Sequence, residues 1–167
     1  MLTLLTSRLL LTHFTEHDAP FILRILNTPG WLQFIGDRNV KTLEVAQQYT
    51  KDKLIAGYAK FGFGMYAVKL KETQDLVGMC GLVKRDTLEH ADIGYAFLPE
   101  YTGQGYALEA AAAVLKYANQ TLGLHPLLAI VTPGNRSSIK LLQKLNFAFQ
   151  RNIVQNGEEL LLFKQQD

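Results

Sequence analysis

The spacing of apolar and polar positions changes several times along the chain, and each change predicts an element. The leucine-rich opening, residues 2–11, reads as strand, and residues 9–14 form a first apolar strand. Thr15 then opens a helix, with Asp18 as capping acid three residues on and Pro20 tolerated in the first turn; Thr28-Pro29-Gly30 ends it. Thr42 and Glu44 start a second helix that continues through Ala46, Tyr49, Leu54, Ile55 and Tyr58, its end weakened by Gly57, Gly62 and Gly64. Between the two, Trp31, Phe34 and Ile35 follow no regular period. They read as a loop that either packs on the core or lines a pocket.

Three short β-type runs follow, residues 65–71, 76–85 and 91–98, joined by polar turns too short for anything but antiparallel neighbours. The period then shifts. Residues 105–122 are rich in Ala and Leu, close at Gly123, and read as a long helix. Residues 127–131 make a short uncharged strand, a helix runs from about Asn135 to Leu145, and a final hairpin turns at Asn156-Gly157. The order β-α-α-β-β-β-α-β-α-β-β predicts an α/β chain of the α+β kind, a mixed sheet with helices on both faces. No repeat or linker interrupts it, so residues 1–167 are expected to form one domain.

Composition narrows the function. Seventeen Lys and Arg against fifteen Asp and Glu give a formal charge of +2, spread evenly, which disfavours nucleic acid as a partner. The longest uncharged run, residues 117–135, holds Asn119, Gln120, Gly123, His125, Pro126 and Pro133 and does not suit a bilayer. The start of the chain lacks the marks of a secretory signal, and the expectation is a cytoplasmic protein, monomer or homodimer. Cys80 is the only cysteine and the four histidines make no ligand pattern, so no metal is expected. Cys80 reads as a small buried apolar residue.

The most informative stretch is Leu98-Pro99-Glu100-Tyr101-Thr102-Gly103-Gln104-Gly105-Tyr106-Ala107-Leu108-Glu109, where a strand ends, a glycine turn follows and a helix opens. The first N–H groups of such a helix are unpaired and face the positive end of its dipole, which attracts anions. Gly103 and Gly105 let a phosphate approach the backbone, although a strand-to-helix turn needing glycine for its dihedrals explains the same spacing. A Walker loop is absent. A dinucleotide fingerprint fails at Leu108, where its third glycine belongs.

These residues, with Ile93-Gly94-Tyr95 before them, resemble the acetyl-CoA motif of the GNAT N-acetyltransferase superfamily in its RimJ/RimL ribosomal-protein branch. Thr6-Ser7-Arg8-Leu9-Leu10-Leu11 resembles the opening strand of that branch. Residues from Asn135-Arg136-Ser137-Ser138 to Lys144-Leu145-Asn146-Phe147 resemble its late N-x-x-S-x-x-L-L-x-K-L-G-F motif, with Asn146 in place of the glycine. The resemblance implies a GNAT-like fold, acetyl-CoA as cosubstrate, and direct transfer of acetyl to a primary amine with no metal. It implies that the amides of Gly103, Gln104, Gly105, Tyr106, Ala107 and Leu108 hold the CoA diphosphate. It also implies that backbone groups of Phe97 and Leu98 meet the pantetheine arm, with Asn135 contacting pantetheine and Ser138 meeting the departing thiolate.

Each of these late residues has a plainer reading beside it. Asn135 is a natural helix N-cap, and Ser138, three residues on, shares its face of the first turn. A base for the amine is expected at Asp92 or Glu89, unless these are exposed turn or edge acids. An α-amine with pKa near ~8 is roughly a tenth neutral at pH 7 and needs little help, whereas a lysine near ~10.4 is neutral below ~0.1%. A protein N-terminus is therefore the favoured acceptor. The alternatives are a polyamine, amino sugar or antibiotic, or a CoA-binding module without catalysis.

Overall fold

The computed structural model describes residues 1–167. Eight strands form a single sheet: β1 (Thr3–Leu5), β2 (Leu9–His13), β3 (Met65–Leu70), β4 (Leu76–Val83), β5 (Asp92–Phe97), β6 (Leu128–Val131), β7 (Phe147–Gln155) and β8 (Glu158–Gln165). Their spatial order is β1-β2-β3-β4-β5-β6-β8-β7, and every pairing is antiparallel except that of β5 with β6. The mixed sheet expected from the order of elements is present.

The leucine-rich start is a hairpin rather than one strand. It turns at Thr6, whose hydroxyl accepts the Leu9 N–H at 3.0 Å and so brings β1 back against β2. A second difference lies at Thr28-Pro29-Gly30, which was expected to end a helix and instead begins one. Helix α1 (Ala19–Ile25) stops before it, and α2 (Pro29–Phe34) opens with Thr28 as N-cap and Pro29 in its first turn. Proline lacks only an N–H that is unpaired there anyway, so both residues suit a helix start. Trp31 and Phe34 therefore lie on a helix, not a loop, and Ile35 is its C-cap. Helix α3 (Leu43–Tyr49) passes through a π-helical stretch at Thr50–Ile55 into α4 (Ala56–Phe61). The buried Thr50 gives its hydroxyl to the Ala46 carbonyl where the helix widens.

Alternation along the strands divides the core in two. Tyr66, Val68, Cys80, Leu82 and Ile93 face α5 (Tyr106–Gln120), whose buried residues Ala110, Ala111, Val114 and Ala118 are small enough to bring the helix close to the sheet. Ala67 and Met79 point the other way, into a cluster with Ala19, Ile22 and Ile25 of α1, Trp31 of α2 and Ala46 of α3. Helix α6 (Arg136–Lys144) packs Leu142 on the α5 side. Helices thus cover both faces. The chain reverses at Asn156 and Gly157, with φ of +50° and +77°, the left-handed pair that a two-residue hairpin demands.

Candidate active site

The site is built at the end of the sheet where β5 finishes. A short turn of 3-10 helix, Pro99–Tyr101, leads into Gly103 and Gly105 at φ +74° and +84°, and α5 starts at Tyr106. None of the six N–H groups of Gly103, Gln104, Gly105, Tyr106, Ala107 and Leu108 donates to a carbonyl or side chain. Six adjacent free donors at the positive end of a 15-residue helix form an anion cradle without any lysine.

Directly beside this turn the sheet opens. Strands β5 and β6 meet only at Asp92 and Leu128, where the Leu128 N–H donates to the Ala91 carbonyl at 3.0 Å, and they part from there toward Phe97 and Val131. The direction of the exposed backbone follows from register. Leu98 N–H donates to Val77 at 2.9 Å, so Ala96 and Gly94 also turn their backbone groups to β4, whereas Tyr95 and Phe97 turn theirs toward the cleft. On the opposite wall the Gln165 N–H donates to Leu127, which leaves Ile130 facing the cleft. The cleft is lined by strand groups with no partner strand.

Several expected residues converge on this opening. Asn135 caps α6, its Oδ1 accepting the Ser138 N–H at 3.4 Å, and its Nδ2 makes no hydrogen bond. Ser138 meets Tyr95 across the gap: its carbonyl accepts the Tyr95 hydroxyl at 3.4 Å, and its own hydroxyl is within reach of the same phenol. Burial pushes the Tyr95 phenol up to about 12. Leu98 fits its expected place only in part. Its N–H is given to Val77, its carbonyl accepts from Tyr101 and its side chain is buried, which leaves it only the second lone pair of that carbonyl. Tyr95 is the residue that shares the orientation of Phe97. Strand period alone pointed there, two positions back.

The expectation of an exposed acid at Asp92, or of a base there, also fails on position. Asp92 lies at the closed end of the cleft, five residues or about 16 Å from Phe97. Its side chain is 2% exposed and paired with Arg85 at 3.0 Å. Glu89 is solvent-exposed and beside His90. One residue at this turn was named in the sequence only as part of the opening strand. Arg8, nearly a hundred positions upstream, brings its guanidinium onto the glycine turn, donating to the Gln104 carbonyl at 2.9 Å and to Glu109 at 2.7 Å.

A family profile described as an acetyltransferase (GNAT) domain matches residues 8–148. The chain belongs to the GNAT acetyltransferase family. It is 30% identical over 151 residues to the uncharacterized N-acetyltransferase p20 of Bacillus licheniformis, covering 88% of this chain and 83% of the relative. The acetyltransferase of Agrobacterium tumefaciens superposes at a TM-score of 0.84 with 25% identity, over 100% of this chain and 95% of its own. RimL, a ribosomal L7/L12 alpha-N-protein acetyltransferase solved with coenzyme A, shares the fold at a TM-score of 0.84 with 15% identity, over 98% of this chain and 97% of its own. GNAT enzymes use acetyl-CoA, and this chain is an acetyltransferase. No helix is long and apolar enough to cross a membrane, and no group of three or more His, Cys, Asp or Glu is placed to hold a metal ion.

In this GNAT chain Asp92 has a measurable signature. Burial pushes its carboxyl up to about 6 against the opposing pull of Arg85. A folded-state value above the unfolded one, near ~3.9, means the native state holds the proton more tightly between about pH 4 and pH 6. Asp92 therefore favours folding below that window and loses that advantage as pH rises through it, by roughly 2–3 kcal/mol. Asp92→Asn removes the titration. Urea unfolding of both proteins at pH 4.5 and pH 7 should show the variant gaining on the wild type with rising pH, and parallel profiles would reject the assignment.

Proposed function

We propose that residues 1–167 form a single cytoplasmic N-acetyltransferase domain that passes acetyl from acetyl-CoA directly to a primary amine, in particular a protein N-terminal α-amine. The observation that carries this reading is the parting of β5 from β6 beside six free N–H groups, an anion cradle opening into a slot with bare strand edges. The cradle binds the CoA diphosphate. Backbone groups of Tyr95, Phe97 and Ile130 line the slot for the pantetheine arm, and a strand N–H polarises the thioester carbonyl.

The neutral amine attacks the thioester carbon, the C–S bond breaks, and the amine proton leaves to water. The Ser138 hydroxyl gives the departing thiolate a proton and is reprotonated from water, and the free Nδ2 of Asn135 orients the arm. Because Asp92 is committed to Arg85 at the far end of β5, the acceptor best suited is one already partly neutral. An α-amine meets that condition; a lysine side chain does so far less. The shared fold of a ribosomal-protein α-N-acetyltransferase supports the same class. The free, buried Cys80, its thiol pushed up by burial, takes no part.

Thiol release from acetyl-CoA tests the reading against peptides of varied N-terminus, the same peptides blocked, polyamines and aminoglycosides. Free N-termini should raise release above hydrolysis and blocked ones should not. Release with polyamines or aminoglycosides alone would move the acceptor to a small molecule, and CoA binding without release for any acceptor would leave a binding module. Ser138→Ala should lower kcat on the order of tenfold or more while CoA affinity stays within about twofold. An unaltered kcat would remove Ser138 from the mechanism.

A further inference from the structure

Arg8 stands in the turn between β1 and β2, and its guanidinium is held on three sides. Nε donates to Glu109 Oε2 at 2.7 Å and Nη1 to the Gln104 carbonyl at 2.9 Å. The guanidinium carbon lies 4.4 Å from the centroid of the Tyr106 ring, and Nη2 lies 3.2 Å from where a Cβ on Gly105 would stand. Glu109 is held in turn. Its Oε1 accepts the Thr6 hydroxyl at 2.6 Å and the Arg8 N–H at 2.8 Å. Burial alone would raise the Glu109 carboxyl, but the hydrogen bonds from Thr6 and Arg8 outweigh it and keep the group below the usual range, hence ionised.

A guanidinium has five N–H donors, and this one spends one on Glu109 and one on Gln104. Both donors on Nη2 remain free, against the residue at the centre of the anion cradle. A pair formed only to join two elements would be expected to use the bidentate geometry that arginine and carboxylate prefer. Here Glu109 takes Nε alone, and the rest of the fork is turned to the glycine turn.

We propose that Arg8 is a cofactor-binding residue, whose Nη2 takes an oxygen of the CoA diphosphate while Glu109, Gln104 and Tyr106 hold the guanidinium in place. The proposal rests on the reading that residues 103–108 cradle that diphosphate. A helix N-terminus offers about half a positive charge, less than a diphosphate carries, and Arg8 supplies a full one. With 46% of its side chain exposed, the Arg8–Glu109 pair adds little to folding, so its removal is felt at the ligand first.

Calorimetric titration of CoA into the wild type, Arg8→Ala, Arg8→Lys and Glu109→Gln, at low and moderate salt, tests this alongside thermal melts. Arg8→Ala should weaken CoA about tenfold and flatten the dependence of affinity on salt, with Tm little changed. Arg8→Lys should restore only part, since lysine keeps the charge without the fork, and Glu109→Gln should lie between wild type and Arg8→Ala. Wild-type affinity in Arg8→Ala would overturn the proposal. So would weaker binding with an unchanged salt slope, the mark of a purely structural role. A wild type that does not bind CoA at all would overturn the reading of the cradle, and the proposal with it.

Discussion

Gly105→Glu is expected to weaken CoA on the order of a hundredfold or more, while leaving a folded protein. Three costs fall on the same residue. Its φ of +84° lies in the left-handed region, where a side chain costs roughly 1–2 kcal/mol. A Cβ there would stand 3.2 Å from Arg8 Nη2, so the guanidinium has to shift away from the cradle. The new carboxylate then sits among the six free N–H groups, competing for them and repelling the diphosphate. Gly105→Ala separates these contributions. Alanine carries the backbone cost and the contact with the flexible end of Arg8, but no charge, and should weaken CoA only several-fold. The two dissociation constants, measured by calorimetry beside the wild type, check the argument; equal affinity for Gly105→Glu and wild type would mean that the turn is only a turn.

The parts of this molecule that were legible in its sequence are those fixed by neighbours in the chain. Helix α5 announces itself through its Ala-rich interior, and the hairpin at Asn156-Gly157 through residues that accept positive φ. Asn146 does the same in place of a glycine, at φ +64° after α6. The free amides at the start of α5 were legible for a related reason: unpaired donors in a first helical turn follow from helix geometry, while the extension back to Gly103 came from the resemblance to the family motif.

What was not legible depends on how strands pair and on which groups that pairing brings together. The hairpin at Thr6 to Arg8 is locked by Glu109, a hundred residues away, so the opening leucines alone looked like one strand. Asp92 looked exposed because a lone acid at a strand start usually is. Its counter-charge comes from Arg85, which the pairing of Val83 with Asp92 brings alongside. Leu98 and Phe97 look alike in sequence as neighbours of the glycine turn, and only the register of β4 decides which of them keeps free backbone groups. Arg8 reaches the cradle through that same N-terminal hairpin, and nothing within residues 101–108 hints at it.

Gly81→Val is expected to cost more than about 4 kcal/mol and to leave little folded protein. Gly81 lies in the middle of β4, between Met65 of β3 and Gly94 of β5. A Cβ there would fall 2.2 Å from the Gly64 carbonyl oxygen and 2.6 Å from the Met65 Cα, both backbone atoms. The obstruction cannot swing aside as a side chain would. The Gly64 carbonyl accepts the Leu82 N–H at 3.0 Å, and the Met65 carbonyl accepts the Tyr58 hydroxyl, so the start of β3 is tied both to β4 and to α4. Moving the backbone clear breaks those bonds and also disturbs β5, which carries the cleft. Gly30→Ala supplies the contrast. Gly30 is exposed on α2 with nothing within 4 Å of an added Cβ, so the change should be neutral or stabilise by up to ~1 kcal/mol through helix propensity. Urea or thermal unfolding of both variants separates the two roles of glycine, and a Gly81→Val protein as stable as wild type would show that β3 and β4 are free to part here.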